Sequence, residues 1–249
     1  MNMQTRSQPP GHANRSSLTP RALLSLSILL AGCCVRGSML DIGPLDSSPA
    51  ARVTVTAHRG SPQRKAFPDN SIAAVRASTQ AGIPFIELDV RMSANHELFL
   101  FHDGSLQASN AIAPAKLYGR SVQSLTAQER RSVWLDHDRS TIIPLLSEAL
   151  DEIRNSKSSV QLDLKQESDQ LALAVFALLE SRGQLHQALV QLRTPARARL
   201  ITKTYPNARI LGRCKNIASL REFLSVKPEF VELERWASSE AIALAHASG

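Results

Sequence analysis

A chain of 249 residues with 43% hydrophobic and 20% charged residues has the balance of a folded globular protein, which excludes wholesale disorder. Its 11 glycines and 13 prolines exclude a collagen-like or low-complexity chain, and three cysteines are too few for a disulfide-dense scaffold. The formal charge of +7 invites a nucleic-acid partner, but aromatic residues make up only 4%, too few for base-stacking platforms, so no nucleic acid is expected.

Residues 1–32 read as a targeting segment, with Arg6, Arg15 and Arg21 and no Asp or Glu. The apolar run Ala22–Ala31 is shorter than the roughly 18 residues of a membrane span but suits the middle of a secretory signal. It ends in Leu30-Ala31-Gly32-Cys33, which resembles the lipobox of bacterial lipoproteins. That resemblance implies lipidation at Cys33 and a lipid anchor on the cell envelope, on the periplasmic or outer face of a bacterial membrane. Removing residues 1–32 lowers the formal charge from +7 to +4, so much of the basic excess is address label. Residues 33–51 read as a tether, and residues 52–249 as one domain.

From residue 52 strands and helices alternate. Strands are predicted over 53–58, 85–92, 97–103, 159–165, 188–192, 208–213 and 230–236. Helices are predicted over 70–81, near 126–134, and over 145–153, 168–182, 195–205, 217–225 and 238–247, with 104–141 otherwise irregular. Such alternation makes a parallel sheet covered by helices, either an open doubly wound sheet or a (β/α)8 barrel. No glycine-rich nucleotide loop and no G-x-S-x-G elbow is present to favour the open sheet.

Ionisable residues gather at strand ends. His58-Arg59-Gly60 follows the first strand and His102-Asp103 ends the third. Glu87 and Asp89 are two apart, as are Asp163 and Lys165, so each pair shares one strand face opposite an apolar one. In a parallel barrel the carboxyl ends of the strands form the active-site face. Three inward acids, Glu87, Asp89 and Asp163, need a cation; their oxygens suit Mg²⁺ or Ca²⁺ better than zinc. The bland reading of any one pair is a barrel salt bridge, such as Asp163 with Lys165 or Arg59. The arginines from Arg193 to Arg213 read as a solvated helix face, Cys214 as a buried structural thiol, and Trp134 and Trp236 as packing or groove residues.

His58-Arg59-Gly60, Pro68-Asp69-Asn70-Ser71, Glu87-Leu88-Asp89, His102-Asp103, Ile143-Pro144-Leu145 and Leu162-Asp163-Leu164-Lys165 occur in that order. Together they resemble the motifs of the glycerophosphodiester phosphodiesterase family, clearly over residues 54–165. The resemblance implies a TIM-type (β/α)8 barrel, one divalent cation, and hydrolysis of a glycerophosphodiester to glycerol 3-phosphate and an alcohol, in lipid metabolism. It implies Glu87, Asp89 and Asp163 as metal ligands, His58 and His102 as general acid and base, and Arg59 and Lys165 as phosphate-binding groups. It also identifies 104–141 as that family's insertion. Asp69 and Asp163 stand where the family has glutamate, each one methylene shorter. Seven strand segments are counted, and residue 249 follows the helix that leads into the next strand, so a barrel lacking its eighth strand is expected. The contrasting class is a non-catalytic barrel lipoprotein that binds phosphorylated ligands or an envelope partner.

Overall fold

The computed structural model describes residues 54–63, 66–234 and 236–248. The targeting segment, Cys33 and the whole tether lie outside the described residues. β-Branched and aliphatic runs form the strands β1 (Thr56–Ala57), β2 (Phe85–Met92), β3 (Leu98–Leu100), β4 (Ser159–Leu164), β5 (Ala188–Leu192), β6 (Ile210–Cys214) and β7 (Phe230–Leu233). The helices are α1 (Ile72–Gln80), α2 (Ala127–Arg130), α3 (Leu146–Ile153), α4 (Asp169–Ser181), α5 (Pro195–Thr204), α6 (Ile217–Leu224) and α7 (Ser239–Ala247). Caps set most helix starts: Ser71, Thr126, Ser168, Thr194, Asn216 and Ser238 each accept a backbone N–H of the first turn. No described helix is long and apolar enough to cross a membrane.

The sheet runs β1-β2-β4-β5-β6-β7, and every neighbour on that path is parallel. Among the described residues there are seven strands, but β3 leaves the path. It pairs antiparallel with the end of β2, Val90 opposite Leu100, while β4 takes the place beside β2. The expected third barrel strand is therefore a hairpin arm, because five residues between Met92 and Leu98 suffice for a turn but not for a crossover helix. Among the described residues six parallel strands form the wall of an incomplete (β/α)8 barrel, with β1 and β7 at its edges.

Alternation along each strand separates two environments. Ile86, Leu88, Val90, Val160, Leu162, Val190 and Ile210 face the helices and are at most 2% exposed. There they meet Leu146, Ala149, Leu150 and Ile153 of α3 and Leu171, Val175, Phe176 and Leu179 of α4, at the spacing of one helix face. Gly212 has no side chain because Phe223 of α6 fills the space: a Cβ there would stand 2.6 Å from the Phe223 ring. On the opposite wall Phe85 and Phe230 meet edge to face, 6.4 Å between centroids, although β2 and β7 are not neighbours in the sheet. The inner wall thus curls on itself.

Residues 104–141 form short turns at Ala115–Leu117 and Val122–Ser124 and the single turn of α2, wrapped around a second core of Phe99, Phe101, Leu106, Leu117, Val122, Leu125, Val133 and Ile143. The helix predicted near 126–134 is only α2.

Candidate active site

Each charged group at the centre is placed by a local rule. After β1 the chain turns sharply: Arg59 is left-handed at φ 54 and Gly60 follows at φ +84. Asn70, also left-handed at φ 58, donates its N–H to the Arg59 carbonyl at 2.8 Å. The turn aims the Arg59 backbone N–H at Glu87 Oε2, 2.8 Å away. The Gly60 position is closed to side chains, since a Cβ would lie 3.3 Å from Leu88 and the positive φ is itself unfavourable for them.

Register does the rest. Asp89 of β2 stands opposite Asp163 of β4, and Glu87 precedes Asp89 on the same face. Glu87, Asp89 and Asp163 bring carboxylate oxygens within 4.8 Å of one another, all three buried. Lys165 Nζ bridges two of them, 2.6 Å from Asp163 Oδ2 and 2.8 Å from Asp89 Oδ1. Arg59 Nε lies 3.6 Å from Asp89 Oδ2, and its Nη1 pairs with Asp69 at 2.8 Å. Asn70 clamps Asp89, donating to Oδ2 at 2.7 Å and accepting the Asp89 backbone N–H at 2.9 Å.

Charge is unevenly compensated across the three acids. Burial pushes the Asp89 carboxyl up, but Lys165 and Asn70 outweigh it and hold the group below the usual carboxylate range. Glu87 has only the Arg59 N–H and His58 Nε2 at 3.9 Å. Burial, and then the Asp89 charge, push it up to about 8. A buried carboxylate in that state calls for a proton or a cation. Three converging hard oxygens with one undercompensated acid fit a divalent cation.

The two histidines flank this centre. His58, at the mouth of the turn, has its pKa lowered by burial and then by Arg59. His102 lies two residues beyond β3 rather than on a barrel strand, so strand-layer geometry does not place it. Arg91 does: it is buried on the inner face of β2 and donates to the carbonyls of Phe101 and His102 at 3.1 and 2.6 Å. His102 Nδ1 meets Asp103 Oδ1 at 2.8 Å, and Asn110 of the insertion donates to Asp103 Oδ2 at 2.8 Å.

Six of the seven residues expected in the domain, His58, Arg59, Glu87, Asp89, Asp163 and Lys165, lie in one connected network of side-chain contacts. The seventh, His102, is tied to it through the backbone, by Arg91 and by the Phe101 N–H donated to the Asp89 carbonyl. The salt-bridge reading of Asp163 with Lys165 is also met, within the same site. The arginine-rich stretch is a solvated face only in part: Arg199 and Lys203 of α5 are exposed, but four of its arginines are paired. Arg193, just past β5, donates to Asp163 Oδ1 at 2.7 Å, and Arg197, Arg209 and Arg213 pair with Glu167, Glu229 and Glu234. Glu232 reaches inward to Gln191. Cys214 is buried, its thiol pushed up to about 12 by burial and then by Glu232, and Trp236 packs by donating to the Cys214 carbonyl at 2.7 Å.

The fold is shared with solved structures at low sequence identity. A protein from Galdieria sulphuraria, to which glycerophosphodiester phosphodiesterase activity is ascribed, aligns with a TM-score of 0.67 at 20% identity, over 79% of this chain and 81% of that one. A glycerophosphoryl diester phosphodiesterase from Parabacteroides distasonis aligns at 0.63 and 20% identity, over 79% and 69% of the two chains. A phosphodiesterase from Oleispira antarctica, in complex with the product sn-glycerol-3-phosphate, aligns at 0.65 and 19% identity, over 79% and 81%. No curated protein matches in sequence. The profile of the glycerophosphoryl diester phosphodiesterase family matches residues 58–249, from the first histidine of the site to the last residue. With that span and this clustering of motif residues, the chain belongs to the glycerophosphoryl diester phosphodiesterase family, a family of phosphoric diester hydrolases.

Proposed function

We propose that the protein hydrolyses glycerophosphodiesters to glycerol 3-phosphate and an alcohol with a single hard divalent cation, Mg²⁺ or Ca²⁺, held by Glu87, Asp89 and Asp163, as part of lipid metabolism. The observation that carries the reading is the buried triad of carboxylates within 4.8 Å, framed by Arg59 and Lys165 and flanked by His58 and His102. A cation there supplies positive charge against a substrate that is already an anion. Arg59 and Lys165 bind the non-bridging phosphate oxygens and so screen phosphorus for an incoming oxygen. One histidine accepts the proton of the neighbouring glycerol hydroxyl as its oxygen bonds to phosphorus. The other delivers a proton to the departing alcohol oxygen as its bond to phosphorus breaks. Water then opens the resulting cyclic phosphate, with the proton transfers reversed.

The test is release of glycerol 3-phosphate by the full chain, with the cation stripped by chelator and then restored. Activity should vanish and return with Mg²⁺ or Ca²⁺; undiminished turnover in chelator would overturn the cation assignment. His58→Ala and His102→Ala should each lose about 10²–10⁴-fold in rate. Near wild-type turnover in both would overturn their roles.

The address of the protein follows from residues outside the described part. The reading is a lipoprotein anchored through Cys33 to a bacterial membrane, and the apolar run before a small-residue–cysteine junction supports it. Cys33→Ser should leave an unprocessed precursor that takes up no lipid label; normal processing and labelling would refute the anchor.

A further inference from the structure

Arg193 reaches the centre from outside the motifs that carry the family resemblance. Gln191 of β5 pairs in register with Asp163 of β4, so Arg193 and Lys165, each two residues further on, stand at the same level of the strand ends. Both close on Asp163: Lys165 Nζ holds Oδ2 at 2.6 Å and Arg193 Nη2 holds Oδ1 at 2.7 Å. The other acid near Arg193 holds it weakly. Its Nη1 lies 3.8 Å from Glu167, an exposed carboxylate that already binds Arg197 at 2.8 Å.

The Nε–H of Arg193 is buried and has no acceptor among the described residues. Arginines paired away from the centre meet that donor: Arg76 gives Nε to Glu152, Arg197 to Asp169 and Arg209 to Glu229. Two others leave it unmet. Arg130 Nε faces Glu97 at 3.7 Å in the insertion, and Arg59 Nε faces Asp89 at 3.6 Å in the site. Arg193 thus shares its unmet donor with Arg59, the arginine assigned above to the phosphate. A buried donor without a partner is costly, and at a substrate site the acceptor that satisfies it comes with the ligand.

We infer that Arg193 is a third phosphate-binding residue, acting beside Arg59 and Lys165. Lys165 and Arg193 between them occupy Asp163, so a cation that takes an oxygen of Asp163 must loosen one of these donors. Arg193 is the one that yields, because Lys165 is also held by Asp89 at 2.8 Å and Arg193 has no second close partner. The Nε–Nη2 edge that it then presents is a planar fork matched to two oxygens of a phosphate. Lys165, at the same level of the strand ends, is already assigned to those oxygens. The inference rests on the hydrolytic reading above and adds a substrate-binding residue to it.

The experiment titrates the Mg²⁺-loaded full chain calorimetrically with sn-glycerol 3-phosphate and with inorganic phosphate, and measures Mg²⁺ affinity in parallel. Arg193→Gln should raise both phosphate dissociation constants by about tenfold to a hundredfold, the weight of one or two charge-assisted hydrogen bonds. Arg193→Lys keeps the charge beside Asp163 but not the fork, and should still lose severalfold. Arg199→Gln removes an equal but exposed charge from α5, and should change either constant by less than about twofold. Unmoved phosphate affinity in both Arg193 variants would overturn the assignment, as would a wild type that binds neither anion. An equal loss in Arg199→Gln would overturn it by showing a diffuse field instead of a ligand. Weakened Mg²⁺ binding in Arg193→Gln would overturn it as well, because Arg193 would then serve to hold Asp163 in place. A wild type that binds both anions through Arg193 yet hydrolyses no glycerophosphodiester would overturn the hydrolytic reading and leave the assignment standing.

Discussion

His102 Nδ1 and Asp103 Oδ1 lie 2.8 Å apart, side chains of adjacent residues closed on each other beside the carboxylate triad. Asp103 is held below the usual carboxylate range: burial opposes this, but hydrogen bonds from His102 and Asn110 outweigh it. An ionised acceptor at Nδ1 fixes the proton there and leaves Nε2 for the phosphodiester. Asp103→Asn should therefore lower kcat more than it raises KM, because the imidazole loses the partner that orients it. Asn110→Ala should do the same more weakly. A pure KM effect in both would show that Asp103 does not act through the histidine.

Glu87 gives a pH prediction with a definite sign. Its folded-state pKa is raised from 4.5 to about 8, so between those values the folded, metal-free protein holds a proton that the unfolded chain has released. Its contribution to stability is full below about 4.5 and is lost as pH rises through about 8. A bound cation reverses the preference for the protonated form. The increase in melting temperature on adding Mg²⁺ or Ca²⁺ should be larger at pH 8 than at pH 6, and Glu87→Gln should show little of it at either. An equal increase at both pH values in the wild type would count against Glu87 as a ligand.

Arg193 and Lys165 between them hold both oxygens of Asp163, at 2.7 and 2.6 Å. A guanidinium so close to a carboxylate of the triad opposes an incoming cation. Arg193→Gln should tighten cation binding by about tenfold, a modest share of the Coulomb energy of charges a few ångströms apart. Calorimetric titration of the metal-free protein reads this directly; weaker binding would mean that Arg193 positions Asp163 rather than competing for it.

Gly212→Ala should destabilise the barrel by about 1–3 kcal/mol, because the added methyl collides with a ring packed from α6. Pairing it with Phe223→Leu should cost less than the sum of the two single changes, as chemical denaturation would show.

The parallel path was legible because its apolar residues alternate, and the carboxylate triad because Glu87 and Asp89 take successive inward positions of β2 and Asp163 an inward position of β4. His102 was legible as a residue but not as a position. Leu98–Leu100 reads as any strand does, and only the short connection from Met92 marks it as a hairpin arm. Of the basic residues after β5, Arg193, Arg197, Arg209 and Arg213 were misread, because charge density suggests a wet surface when partners are unknown. Arg193 follows a strand end directly, as His58 and Lys165 do, and that same rule would have placed it. Asn110 had no signal: it reaches Asp103 from an irregular segment whose course is set by its own small core. The boundaries differ for local reasons, since caps such as Ser71 and Ser168 begin a helix one residue before its first regular turn.

One donor to the triad is backbone rather than side chain. The N–H that Arg59 offers Glu87 exists because the chain bends left-handed there, with Gly60 leaving room and Asn70 catching the carbonyl. Alanine scanning will therefore misjudge position 59: trimming the guanidinium removes its pairing with Asp69 and Asp89 but leaves Glu87 tethered. The tether is coded one residue on and eleven residues on, in a glycine and an asparagine. A designer grafting this centre onto another barrel could copy every ionisable group and still fail, because what must be transplanted here is a bend.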